Sequence, residues 1–379
     1  MNDTMDDIPI SEALAKYALV LILLPNIVLS LPAVEQGLTV EEMRVIGEQI
    51  FITRLTHDDG FGDGRPKLQG NPTLTRVNGL DAQSCNECHS IVSNTEVPPL
   101  RGIGGSGDIS NSAIFKPESI FPFDDDHRNF DGRLINPPSL FGIGLVEQLG
   151  VEMTEDLQAI QAEAAETGES RQLTAKGVNF GDTSQPQGVD EDLVIKPFGR
   201  KGEFPTILAF DIAAFEFHFG LQSVAGDPDE DGVVDEVTAS QLDAVSLFIA
   251  SLPFPTKASN EGRDLFDAVG CSGCHASLAL NDGTIVDLFS DLKRHDMGDS
   301  LAENFTLASD QQNREFISAK LMGVADTAPY LHDGRALTLL EAILLHDGEA
   351  LDEREAFEAL DDGSQNLLIE FLQGLRNPR

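Results

Sequence analysis

Residues 81–89 read DAQSCNECH, and residues 271–275 read CSGCH. Each stretch holds a Cys-x-x-Cys-His run, and together they use all four cysteines of the chain. A Cys-x-x-Cys pair alone suits zinc, thiol–disulfide chemistry or a simple disulfide. The histidine directly after it points elsewhere: two thioethers tether a porphyrin, and the imidazole takes its iron. The pattern predicts two covalently bound haem c groups. Cys85, Cys88 and His89 would hold the first; Cys271, Cys274 and His275 would hold the second. His89 and His275 are then the proximal iron ligands. A shared zinc site fits poorly, because the pairs lie far beyond the roughly 15–20 residues that separate them in zinc ribbons. A thioredoxin-like redox pair wants a strand–helix unit beside it, and the sequence shows none.

With 379 residues the chain can form two or three domains and bury a core without a disulfide scaffold. Its net charge of −39 argues against nucleic-acid binding, which needs a basic footprint. The charge suits a solvated acidic surface, or the steering of a basic redox partner. Residues 17–31, YALVLILLPNIVLSL, are apolar but shorter than the roughly 20 residues of a spanning helix. They resemble the apolar region of a secretory signal. The flank is unusual, since Asp3, Asp6, Asp7 and Glu12 outnumber Lys16. Residues 1–36 are therefore expected to be a signal peptide or N-terminal anchor, with membrane contact only if they stay uncleaved. Attachment of haem to Cys-x-x-Cys-His is an export-side reaction, so the expected location is periplasmic or secreted.

The elements that must position these residues read as mainly helical. The expected fold class is all-α: two cytochrome c-like haem domains with a loop-rich insert between them. GEQIF (47–51) resembles the opening helix of the first domain, taken as 37–225 with the insert. EDLQAIQAEAAE (155–166) reads as an exposed helix, 167–192 as polar loop, and EFPTILAFDIAAFEFHFGLQ (203–222) as one or two core helices. Residues 226–258 read as an acidic loop and a linker helix. There, Asp227, Asp229, Asp231 and Asp235 follow the first nine positions of an EF-hand-like calcium loop. The twelfth position is Thr238 where the motif wants Glu, though Asp235 or Glu236 can substitute. Bound calcium and a plain acidic turn both remain open. The second haem domain spans 259–379. Asn260 can cap a helix over GRDLFDAV, stopped by Gly270 just before Cys271. Thr338 and Glu341 form a capping box for LLEAILLH, and Ser364 can cap QNLLIEFLQGL.

A haem with both axial positions filled passes electrons, whereas an open one binds peroxide or oxygen. The histidines outside the motifs are His57, His127, His218, His295, His332 and His346. The methionines past the leader are Met43, Met153, Met297 and Met322. His346, ending the apolar run LLEAILLH, is the first candidate for the second iron; Met297 is the alternative and Met322 a third choice. For proton transfer, a carboxylate in an apolar pocket is wanted. Glu147, in PPSLFGIGLVEQLG (137–150), is the candidate, ahead of Arg133, Gln148 and His127. His127 is also a candidate displaceable ligand to the first iron.

APYLHDGRALTLLEAILLHDGEA (328–350) and SDLKRHDMGDSLA (290–302), with the two Cys-x-x-Cys-His motifs, resemble the dihaem oxidoreductases related to bacterial dihaem cytochrome c peroxidases. The resemblance runs from about Gly47 and is weakest over 150–200. It implies a reactive N-terminal haem and an electron-relaying C-terminal haem. It implies hydrogen peroxide as oxidant, a small redox donor protein of cytochrome c or cupredoxin type, and an acid near Glu147. The peroxidases place a methionine fourteen residues past the histidine of Pro329-Tyr330-Leu331-His332-Asp333-Gly334; here that position is His346, as in a bis-histidine branch. Related enzymes relay electrons through a tryptophan, and this chain has none. Tyr330 is the one tyrosine past the leader. The rivals are a dihaem electron carrier without catalysis, a dihaem enzyme oxidising a partner protein or organic substrate, and a calcium or zinc module without haem.

Overall fold

The computed structural model describes residues 31–32, 34, 37–56, 59–60, 84–87, 89, 137–223, 236–255, 262–303 and 309–378. Cys88, His57, His127, Arg133, Asn260 and the acidic positions Asp227, Asp229, Asp231 and Asp235 lie outside them.

Helices dominate, but the all-α expectation needs correction: three small antiparallel sheets are present among the described residues. Strands β1 (Gln172–Ala175), β2 (Val178–Asp182) and β3 (Gln185–Pro186) form a meander inside the stretch expected to be polar loop. Leu173, Ala175 and Phe180 alternate inward and are fully or almost fully buried, which is the period of two that a half-buried strand needs. Gly177, at φ +83°, makes the turn between β1 and β2. The other sheets pair β4 (Leu278–Ala279) with β5 (Ile285–Val286), and β6 (Arg294–Asp296) with β7 (Glu315–Ile317).

Helix α1 (Val40–Ile52) opens on a Thr39/Glu42 capping box. Helix α2 (Ile143–Thr167) runs 25 residues and absorbs the exposed helix expected over 155–166. Helix α3 (Ile207–Ala214), capped by Thr206, continues into a π-turn over Phe215–Phe219. Helix α4 (Ala239–Ala250) is capped by Thr238, whose hydroxyl accepts from Gln241 N. Thr238 therefore serves as a helix cap, and Glu236 Oε2 accepts from the Gln222 amide at 2.5 Å. Among the described residues no helix is long and apolar enough to cross a membrane.

Helix α4 is the hub of the first half. A Cβ on Gly47 would meet Ala244 O at 2.0 Å, and one on Gly144 would meet Ala250 O at 2.2 Å. Only glycine lets α1 and α2 approach α4 so closely. Phe51 and Phe248 fill the rest of the α1–α4 contact, with ring centroids 5.4 Å apart.

The second half holds α5 (Arg263–Val269), α6 (Asp310–Arg314), α7 (Leu339–Leu344), α8 (Leu351–Glu358) and α9 (Asp362–Gln373). Gly270, at φ +99°, ends α5 where the sequence placed the stop, and the Thr338/Glu341 box caps α7 as expected. The cap of α9 is Asp361 rather than Ser364: its carboxylate accepts from the amides of Gly363 and Ser364. A carboxylate at that end also faces the positive pole of the helix, so it outcompetes the neutral hydroxyl. The first core crosses from one half to the other, since Leu278, Leu280, Val286, Leu288 and Met322 pack into it. A second core, around Phe266, Phe289, Phe357 and Phe371, belongs to the C-terminal half.

Replacing Gly47 by alanine should destabilise the protein by about 2–3 kcal/mol, the cost of overpacking a tight helix contact. Denaturant unfolding of Gly47→Ala checks this, with an unchanged midpoint as the contrary result.

Candidate haem sites

Both Cys-x-x-Cys-His runs fold the same way. A 3₁₀ turn covers Cys85–Glu87 and another covers Cys271–Gly273. The amides of His89 and His275 each donate to the first cysteine's carbonyl at 2.9 Å.

Each proximal histidine is then fixed by a backbone carbonyl. His89 Nδ1 lies 3.0 Å from Pro138 O. His275 Nδ1 lies 3.1 Å from Phe289 O and 3.0 Å from Ala319 O. A carbonyl only accepts, so each Nδ1 carries the proton and donates it. Each Nε2 is left with a lone pair, the form that binds a metal. Burial pushes both imidazoles down to about 4, so both are neutral at ordinary pH. The backbone is bent to supply these carbonyls: Phe289 sits at φ +54° and Leu292 at φ +57°, the left-handed region that branched and bulky residues avoid.

His346 follows α7, and its Nδ1 donates to Ala342 O at 2.7 Å. Its Nε2 is therefore also the free nitrogen, and burial lowers its pKa. The His275 and His346 rings meet edge to face, with centroids 6.4 Å apart and planes 61° apart. Two imidazoles on opposite sides of one metal ion, each bonded at about 2.0 Å, give nearly this separation. The donor set and spacing fit one haem iron held between His275 and His346. Phe266, Phe289 and Phe371 pack edge to face behind His275 and close its apolar side.

Cys271 and Cys274 are both free and half-buried. Burial pushes the Cys271 thiol up to about 11. That is the reverse of the low thiol pKa of a redox-active Cys-x-x-Cys pair. Cys274 Sγ, Asp291 and His295 also lie within metal-binding reach of one another. His295 does not act as a ligand there: Nε2 is 2.9 Å from Asp291 Oδ2 and Nδ1 is 2.8 Å from Glu349 Oε2. Burial alone lowers its pKa, but Asp291 and Cys274 together outweigh that and the group is pushed up to about 11. His295 is an imidazolium clamped between two carboxylates. Through Glu349 it ties β6 to the loop that follows His346.

Residues 225–375 match the family described as "Di-haem oxidoreductase, putative peroxidase". That stretch is what the chain shares with the di-haem oxidoreductases. The matched segment contains His275 and His346. No curated protein matches the chain. Among solved structures, a MauG-like protein associated with microbial copper homeostasis is 17% identical over 94% of each chain, with a TM-score of 0.41. Hydrazine synthase of Kuenenia stuttgartiensis is 15% identical over 99% of this chain and 100% of that one, with a TM-score of 0.37.

The other candidates sort by position. Met322 and Met153 are buried in the first core, and Met43 packs against it. Met297 is half-buried, and its amide donates to Arg314 O at 3.0 Å. His332 stacks on Phe316 at 4.3 Å, and the Lys201 ammonium covers the Phe316 ring. His218 lies on the π-turn. Glu147 is half-buried in the first turns of α2, and its Oε1 accepts from Ile207 N at 2.8 Å, at the start of α3. Gln148 is exposed and donates to Glu152 at 3.2 Å.

Asp211 is a group that the sequence reading missed. It is the lone acid of ILAFDIAA, and 6% of it is exposed. Burial pushes it up to about 7, Ser246 opposes by donating at 2.6 Å, and the Glu147 charge raises it further. The signal was legible as a single carboxylate in an apolar helix.

The folded protein keeps the Asp211 proton that the unfolded chain releases between about pH 4 and 7. Stability is therefore lost as pH rises through that window, by up to about 4 kcal/mol. Asp211→Asn should gain on the native protein as pH rises from 4 to 8. Parallel denaturant curves at those pH values check it; a pH-independent difference is the contrary result.

Proposed function

We propose that the protein is a dihaem c-type oxidoreductase that reduces hydrogen peroxide at the His89 site. Electrons reach it through the His275/His346 site from a small donor protein of cytochrome c or cupredoxin type. The observation that carries the reading is the adjacent pair His275 and His346, whose Nδ1 atoms both donate to backbone carbonyls and leave Nε2 as the metal-binding nitrogen. Such a pair suits a site that passes electrons and binds nothing else. A haem held by His89 would supply peroxide binding and electron acceptance.

The protein's own task is protonic. Reduction of one peroxide to two waters consumes two electrons and two protons. Glu147 is the group proposed to shuttle a proton between the peroxide oxygens. Asp211, protonated up to about pH 7, interacts electrostatically with Glu147 and can serve as a proton reserve behind it. The net charge of −39 favours a basic donor at low ionic strength. Thioether attachment at the four cysteines and an export-side location belong to this reading, as does calcium at Asp227, Asp229, Asp231 and Asp235.

A second reading is an electron-transfer cytochrome with both irons filled. The adjacent pair His275 and His346 suits that role as well.

Electron paramagnetic resonance of the oxidised and half-reduced holoprotein separates the two. One high-spin and one low-spin signal support the peroxidase, whereas two persistent low-spin signals leave only the carrier. Glu147→Gln keeps an oxygen for the Ile207 amide, so the fold should survive. Its peroxide turnover should fall roughly 10²–10⁴-fold, the usual worth of a general acid–base group. Unchanged turnover removes Glu147 from the mechanism. His346→Met should raise the midpoint potential of the C-terminal haem, as methionine ligation does relative to histidine. Potentiometric titration checks the shift, and an unmoved potential removes His346 from the iron.

A further inference from the structure

Ser139 and Asn377 lie 238 residues apart in sequence, yet Ser139 Oγ donates to Asn377 Oδ1 at 3.3 Å. Each belongs to the immediate surroundings of a different proximal histidine. Ser139 follows Pro138, whose carbonyl holds His89 at 3.0 Å. On the other side, the Asn377 side chain rests on Gly323, where a Cβ would come within 2.0 Å of Asn377 Oδ1. Four residues before Gly323 is Ala319, whose carbonyl holds His275 at 3.0 Å.

Asn377 is 5% exposed, and its backbone amide is tied to Asp326 Oδ2 at 2.9 Å. Its Nδ2 is buried without a partner. A buried amide that leaves half of its hydrogen-bonding capacity unused costs stability, and such a residue calls for an explanation. The contact survives either orientation of the amide, because a flipped Nδ2 would donate to Ser139 Oγ instead.

We propose that the Ser139–Asn377 contact is the electron route between the two haem sites. The chain has no tryptophan, and Tyr330 packs against the C-terminal core. Electron tunnelling falls off more slowly through covalent and hydrogen bonds than across gaps. From His275 the route crosses the hydrogen bond to Ala319 and follows the backbone to Gly323. It then crosses to Asn377 and Ser139 and reaches His89 through Pro138. One electron leaves the iron at His275, which goes from ferrous to ferric. The iron at His89 gains that electron. No bond on the route breaks and no proton crosses it. The inference rests on the dihaem reading but not on peroxide chemistry.

The test uses full-length holoprotein. Haem content is measured first; fewer than two haems per chain defeats the dihaem reading itself. One-electron reduction by pulse radiolysis then starts transfer between the haems, followed by absorbance without peroxide. Ser139→Ala removes only the bridging hydroxyl, and Asn377→Ser withdraws the other partner. Both variants should slow interhaem transfer severalfold, with midpoint potentials and resonance signals unmoved. Native rates in Ser139→Ala, or rates that change only as the potentials change, overturn the route.

Discussion

The C-terminal site depends on one proton, the one on Nδ1 of His275. Two backbone carbonyls, Phe289 O and Ala319 O, accept it from two separate segments. That arrangement fixes the tautomer, aims Nε2 and prevents the ring from turning. The surrounding structure exists to hold those two carbonyls still. Asp291 N donates to Cys274 O at 2.7 Å, and Ser290 N donates to Ala276 O at 2.9 Å, fastening the 289–292 segment to the haem-binding turn. Ser318 Oγ donates to Asp291 Oδ1 at 2.6 Å, fastening the 318–320 segment to the same place. The left-handed residues Phe289 and Leu292 are the strain that this network sustains.

The insert contributes to the same end. Arg200 pairs with the buried Glu303, and Lys201 Nζ donates to Gln312 O and Glu315 O at 2.8 Å. Lys320 Nζ donates to Pro197 O at 2.8 Å. These contacts press the insert onto the strands that carry His295 and Phe316. The extension of the first core through Leu278 and Leu288 does likewise from the apolar side. The first core is thus shared by the two halves, while the second belongs to the C-terminal half alone.

The chemistry was legible because it is local. Five consecutive residues define each Cys-x-x-Cys-His run, a glycine stops α5 in front of one of them, and Thr338 with Glu341 marks the helix that His346 follows. The β1–β3 meander was hidden because strands of two to five residues carry too short a period to stand out from loop. The His295 clamp was hidden because Asp291 and Glu349 come from two different segments. Met297 stood beside His346 as an alternative, and the closeness of the His275 and His346 rings is a tertiary fact. Ser139 and Asn377 carry no sequence signal at all, since nothing in either neighbourhood names the other.

That last contact also has a temporal side. The chain is made from its N-terminus, and Ser139 precedes its partner by 238 residues. Cys85 and His89 emerge early, and their turn is local enough to form at once. The surroundings of His89 are nonetheless incomplete until Asn377 has emerged and docked. Contacts of such long range form late, because the loop they close must be ordered first. The earliest-made site of the molecule is thus the last to be finished.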